Sequence, residues 1–242
     1  MSVEKIRGII ISETAKGESN KQLLLLAKDK GLVWLSAKGA KNTKSKLLAG
    51  TQLFAYGDFT VHVGKGFYSV TQVDLISSFF NIRLDMESLA EGVYMTELLR
   101  NTCQRDLEQN EVLQLTLRTL GMLEKNILPP SLVSRIFEVK YLQLSGFLAE
   151  GCANCGDDSI RLFYHHKEGV LLCPLHKQSG DLPVLPAVQK AISHVLTHDG
   201  TQMFGFQLSK ESLEQLDFVL GEMVDVHMGM RLKSRDFGKG LF

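Results

Sequence analysis

Cys152, Cys155, Cys173 and His176 form a Cys-x2-Cys pair and a Cys-x2-His pair separated by seventeen residues. Two residues between ligands let one tight turn aim both side chains at the same ion, and two such knuckles supply the four tetrahedral corners that zinc takes. Gly156, directly after the second cysteine, admits the positive φ that such a turn often requires. The intervening stretch reads as a hairpin: Ile160-Arg161-Leu162-Phe163-Tyr164 is apolar-rich, His165-His166-Lys167-Glu168-Gly169 is a polar turn, and Val170-Leu171-Leu172 leads into Cys173. With all four ligands supplied by the chain the site is closed, which predicts one structural zinc per chain rather than a catalytic ion holding a reactive water.

The alternatives are ordinary thiols or a redox Cys-x-x-Cys pair, and neither uses both knuckles. His166-x-Glu168 ahead of Cys173 fits part of a zinc deaminase pattern. That chemistry needs Pro-Cys-x-x-Cys, however, and here Pro174 follows the cysteine while His176 takes the last position.

A second chemistry lies in Ser36-Ala37-Lys38-Gly39-Ala40-Lys41-Asn42-Thr43-Lys44-Ser45-Lys46, which sets four lysines among small and polar residues. Such a loop lets backbone approach a phosphate chain while ammonium groups displace its counterions. The plainer reading is a solvated charged loop. Trp34, the single tryptophan, precedes Ser36 and Lys38 by two and four residues, so strand alternation puts the three on one face and Val33, Leu35 and Ala37 on the other. An aromatic ring beside cations suits base stacking over a charged groove, although core or rim packing of the barrel is the plainer account of Trp34. Arg231, Lys233 and Arg235 form a second basic cluster, readable either as phosphate contacts or as a charged helix end.

The elements that must position these residues divide the chain. The first eighty residues read as five strands, at 6–13, 22–27, 32–38, 53–63 and 67–77, with turns at Gly17-Glu18-Ser19-Asn20, Lys30-Gly31 and Gly64-Lys65-Gly66. Five strands in that length predict a Greek-key barrel of the oligonucleotide-binding (OB) type, with an SH3-like barrel as the competing fold. From Asp85 the apolar period becomes helical: Leu89, Ala90, Val93, Tyr94 and Leu98; then Leu113, Leu117, Leu120 and Leu123; then Val133, Ile136, Phe137, Tyr141 and Leu144. Pro129-Pro130-Ser131 opens the third helix and Ser145-Gly146 closes it, and two more helices are predicted at 186–198 and 209–229. The expected architecture is α+β: an OB-fold barrel over 1–80, a helical domain over 81–149 and 181–242, and a zinc-binding hairpin inserted at 150–180.

With 242 residues and 44% hydrophobic content the chain can build its cores without disulfides. No secretory leader pattern opens it and no run approaches a membrane span, so a soluble cytoplasmic protein is expected. Metal-spaced cysteines suit a reducing compartment, and Cys103 reads as a packed core thiol. Formal net charge is zero, yet residues 1–50 carry ten cations and four anions, so the front holds +6 and the remaining 17 basic and 23 acidic residues hold −6. Nucleotide-binding P-loop, Gly-x-Ser-x-Gly and His-Glu-x-x-His patterns are absent, and His62, His194, His198 and His227 read as ordinary surface or helix residues, so no enzyme is expected.

In order and spacing, several stretches resemble the RecO family of bacterial recombination mediators. They are Gly17-Glu18-Ser19-Asn20-Lys21, Ala37-Lys38-Gly39-Ala40-Lys41, Lys44-Ser45-Lys46-Leu47 and Leu53-Phe54 in the barrel. Thr71-Gln72, Ser78-Phe79, Ile82-Arg83, Asp85, Tyr94 and Glu97-Leu98 lie at the barrel-to-helix junction, and Gly146-Phe147 and Leu232-Lys233-Ser234-Arg235 come later. The resemblance implies an OB-fold, a helical domain and a zinc-binding insertion. It also implies binding of single- and double-stranded DNA, annealing of complementary strands, association with RecR and with the acidic tail of single-stranded-DNA-binding protein, loading of RecA, and a place at the nucleoid. His176 departs from the family, where many zinc-bearing relatives place a fourth cysteine. The DNA contacts expected are Arg7, Trp34, Lys38, Lys41, Lys44, Lys46, Arg231, Lys233 and Arg235. The rival from another class is a protein-interaction scaffold with a zinc module and no direct DNA role.

Overall fold

The computed structural model describes residues 2–64, 67–158 and 161–235, and separates into two compact units, Met1–Gln114 and Leu115–Phe242. In the first, β1 (Ser2–Lys16), β2 (Asn20–Ala27), β3 (Gly31–Ala37), β4 (Tyr56–Gly64) and β5 (Phe67–Ser77) close into a barrel of order β1-β2-β3-β5-β4. All neighbours are antiparallel except β3 and β5, which run parallel through Leu35↔Tyr68 and Ser36↔Ser69. This is the OB arrangement rather than the SH3-like one. A register shift between Ile10 and Ser12 bends β1, which is how one fifteen-residue strand can pair with both β2 and β4.

Inward-facing residues alternate as the strand period requires: Ile6, Ile10, Leu23, Leu25, Val33, Leu35, Ala37, Phe59, Val61 and Val70 fill the barrel. Strand bounds exceed the sequence reading mainly in β1, whose ends alternate too little in hydropathy to be read beyond 6–13. Lys65 and Gly66 of the expected hairpin loop lie outside the described residues.

After the barrel, α1 (Met86–Thr102) starts where Asp85 accepts a hydrogen bond from the Ser88 backbone N–H at 2.8 Å. α2 (Asn110–Lys125) buries Leu113, Leu115, Leu120 and Leu123, while Leu117 is half-buried. In the second unit, α3 (Pro130–Leu144) begins with proline in its first turn, where the missing N–H costs nothing. Its predicted stripe is buried through Tyr141, but Leu144 is exposed at the helix end. A small sheet of order β7-β6-β8 follows, from β6 (Phe163–His165), β7 (Val170–Leu172) and β8 (Leu182–Pro183). α4 (Pro186–Thr197) and α5 (Lys210–Met228) complete the unit, α5 capped by the Ser209 hydroxyl and ended by Gly229 at positive φ.

Candidate metal centre and nucleic-acid interface

The hairpin of β6 and β7 brings the two cysteine knuckles together. Cys173 follows β7 directly, and the Ala153 N–H donates to Leu171 O at 2.8 Å, tying the first knuckle to the same strand. Within that knuckle Gly156 N–H donates to Cys152 O at 2.7 Å with φ +74° at the glycine, as the sequence predicts. In the second, the His176 and Lys177 N–H groups both donate to Cys173 O, at 3.0 and 2.9 Å. Ile160, assigned to the first strand from sequence, lies outside the described residues.

The ligand atoms of Cys152, Cys155, Cys173 and His176 all lie within 4.8 Å of one another. Zinc–sulfur bonds of about 2.3 Å and a zinc–nitrogen bond of about 2.0 Å give tetrahedral edges of roughly 3.8 Å between sulfurs and roughly 3.5 Å from sulfur to nitrogen. The chain places Cys155 Sγ 3.8 Å from Cys173 Sγ, and His176 Nδ1 3.6 Å from Cys152 Sγ and 3.2 Å from Cys173 Sγ. These four residues therefore fit a tetrahedral ion. Burial pushes the Cys152 thiol up, but hydrogen bonding with the backbone of Cys173, Asn154 and Cys155 outweighs it and brings the thiol down to about 6, into the range of a metal-ready thiolate.

A brace beside the centre escaped the sequence reading. His165, read there as part of a polar turn, is buried at the end of β6, and its Nδ1 lies 2.6 Å from a carboxylate oxygen of Asp181. The other Asp181 oxygen accepts from the Gln178 N–H at 2.7 Å. Burial opposes ionisation of Asp181, and these two partners overcome it, so the carboxyl stays below its usual range. Fifteen residues lie between the two, and no local signal marks the pair.

On the barrel, the lysine-bearing segment after β3 folds against the β1–β2 turn: Lys41 N–H donates to Ser19 O and Gly39 N–H to the Asn20 side chain, each at 2.9 Å. Lys16, Lys38, Lys41, Lys44 and Lys46 are exposed at this end and have no carboxylate partner among the described residues. Trp34 is half-buried, with Val33, Leu35 and Ala37 buried on the opposite face of β3 as alternation requires.

The other expected contacts are placed differently. Arg7 holds Asp58 with two parallel hydrogen bonds of 2.7 and 2.8 Å, while Lys5 reaches both Asp58 and Asp74. Lys21 is paired with Glu13 at 2.5 Å and Lys30 with Glu4. In the second unit the Arg235 side chain is largely buried, donating to Glu138 Oε1 at 2.6 Å and to the Asp217 side chain at 3.0 Å, and Arg135 engages the same two acids. Arg231 and Lys233 are exposed. Sequence reasoning could not separate these cations, because only the fold shows which carboxylates face them.

The model of the family described as Recombination protein O N terminal matches residues 1–79, and that of Recombination protein O C terminal matches residues 83–236. The chain belongs to the RecO family. It is similar to proteins named DNA repair protein RecO from Acetivibrio thermocellus (30% identity, covering 100% of this chain and 98% of the relative) and from Alkaliphilus metalliredigens (29%, 93% of each). The protein of that name from Halalkalibacterium halodurans is 28% identical over 96% of this chain and 93% of the relative. RecO membership assigns the chain a role in DNA repair and recombination. Among the described residues no helix is long and apolar enough to cross a membrane.

Proposed function

We infer that this RecO-family chain is a non-catalytic DNA-binding and strand-annealing protein whose barrel grips phosphates through Lys16, Lys38, Lys41, Lys44 and Lys46. The carrying observation is that these five exposed ammonium groups gather at one end of an OB barrel and, among the described residues, have no carboxylate within ion-pair distance. Arg7 and Arg235 drop out of the contact set, because a phosphate would have to displace carboxylates already bonded to them. A face that screens two like-charged strands while leaving base edges free would let them anneal. The family resemblance supports single- and double-stranded DNA as ligands, RecR and single-stranded-DNA-binding protein as partners, RecA loading as the outcome, and the nucleoid as the location. The knuckle ligands support one structural zinc.

Neutralising four to five phosphates predicts that single-strand affinity falls with a log–log salt slope of about −3 to −3.5. Titration of a labelled oligonucleotide across salt concentrations tests this, and a flat response removes the electrostatic reading. A scaffold reading has its own support in exposed Leu75 and Ile76 at the end of β5, Phe80 and Leu84 in the connection that follows, and Met86 at the start of α1. Filter binding with short oligonucleotides separates the two, since a pure scaffold retains none at low salt.

A further inference from the structure

In the first unit a cleft of about 450 Å³ opens beside β3, walled by Lys30, Val33, Trp34, Tyr68, Arg105 and Asp106. Its far wall is the connection between α1 and α2, held against the barrel by several independent contacts. Leu32 N–H donates to Gln104 O at 3.0 Å, and Gly31 and Arg105 form an antiparallel bridge. Asp29 and Asn110 bond reciprocally, backbone N–H to side chain at 2.9 Å and side chain to side chain at 2.7 Å. Gly31 makes the approach possible: at φ +63°, a Cβ there would lie 2.3 Å from Gln104 O and 2.4 Å from Leu107 O. The wall carrying Arg105 is thus fixed by the barrel's own turn.

The lining selects a ligand class. An indole and a phenol offer ring surface, and the Lys30 ammonium lies 6.0 Å from the Tyr68 ring centre while paired with Glu4. Both signs of charge are present, Lys30 and Arg105 against Asp29 and Asp106, so a bare anion gains little from the interior. With Lys30 committed to Glu4 and Asp29 to Asn110, a planar heterocycle with donors and acceptors on its edge suits the ring surfaces and this mixed lining, and the volume lies within the usual range of ligand clefts. Arg105 is exposed and has no carboxylate partner among the described residues, which leaves it available to a phosphate attached to that heterocycle.

Resting on the reading of the barrel as a single-strand binder, we propose that this cleft takes one unstacked nucleobase of a single strand, laid on Trp34, with Arg105 holding the adjoining phosphate. The chain's single tryptophan makes the site directly observable. Trp34 emission is followed while a short oligothymidylate is added, with anisotropy of a labelled copy recording binding separately. The expected result is quenching that tracks binding, and none from an abasic oligonucleotide of equal length that still binds through its phosphates. Trp34→Ala weakens oligothymidylate binding on the order of tenfold, Trp34→Phe restores most of it, and Arg105→Ala lowers affinity several-fold with the fold intact by thermal melting. Binding with unchanged Trp34 emission overturns the cleft assignment and leaves the lysine-based reading standing. Equal quenching by thymidine monophosphate at the same nucleotide concentration overturns the strand assignment, and no oligonucleotide binding at all overturns both.

Discussion

At the scale of single residues, a cation's role depends on what faces it. Arg7 and Asp58 sit directly opposite each other on β1 and β4, and the two hydrogen bonds from Arg7 are the main cause that brings the Asp58 carboxyl down to about 2, with partial burial opposing and Lys5 assisting. Because the folded value is depressed, the pair's contribution to folding is complete above the ordinary aspartate range near pH 3.9 and vanishes as pH falls through about 2. Arg7→Ala is expected to return Asp58 toward that ordinary range, short of it by what Lys5 retains, as read by carboxyl NMR titration. The same variant should leave oligonucleotide affinity within about twofold of the parent, since a guanidinium committed to a carboxylate contributes little to phosphate binding.

At the scale of elements, the metal hairpin is a unit whose parts were legible because its information is local: ligand spacing, a glycine after the second cysteine, and two short apolar runs. The helix starts at Asp85, Pro130 and Ser209 were readable for the same reason, each being a cap or proline signal within one turn. What escaped is non-local. β8 is two residues long and includes Pro183, which no strand pattern flags, and its pairing with β6 exists only once the chain has turned back. The His165–Asp181 brace and the docking of the α1–α2 connection on Gly31 likewise join residues that share no local pattern.

The centre's energetics give a prediction at this scale. Structural zinc contributes on the order of 10 kcal/mol to small metal modules, so Cys173→Ser should abolish bound metal and unfold the hairpin. His176→Cys, which keeps four competent donors, should retain close to one ion per chain by metal analysis. Chelation is expected to remove hydrogen-exchange protection from β6 and β7 while that of the barrel strands persists.

The second unit also contains a buried charge network that composition alone hides. Glu138 is fully buried and meets Arg135 and Arg235, so Arg235→Ala would leave a buried carboxylate short of one partner. Removing one member of such a network typically costs about 3–5 kcal/mol, a loss that denaturant unfolding of the variant should resolve. Oligonucleotide affinity of the surviving folded fraction should be unchanged, which separates this arginine from the exposed lysines.

For the whole molecule, a net charge of zero conceals a division, +6 within residues 1–50 and −6 beyond them. Pairing refines that division. Lys5, Arg7, Lys21 and Lys30 are spent on Asp58, Asp74, Glu13 and Glu4, so the outward positive field of the barrel rests mainly on the lysines around the β1–β2 turn and the segment after β3, with exposed Lys28 in the β2–β3 turn. Converting Lys41, Lys44 and Lys46 together to Glu changes the local charge by six units at positions that make no side-chain ion pair among the described residues. Folding and metal content should therefore persist, while single-strand affinity falls at least a hundredfold and does so alike for all sequences, because the lost contacts are to phosphates and not to bases. Annealing of complementary labelled strands, followed by fluorescence quenching, should slow in parallel. If annealing survives while binding to one strand is lost, the two activities use different surfaces, and the cations of Arg231 and Lys233 become the ones to replace next.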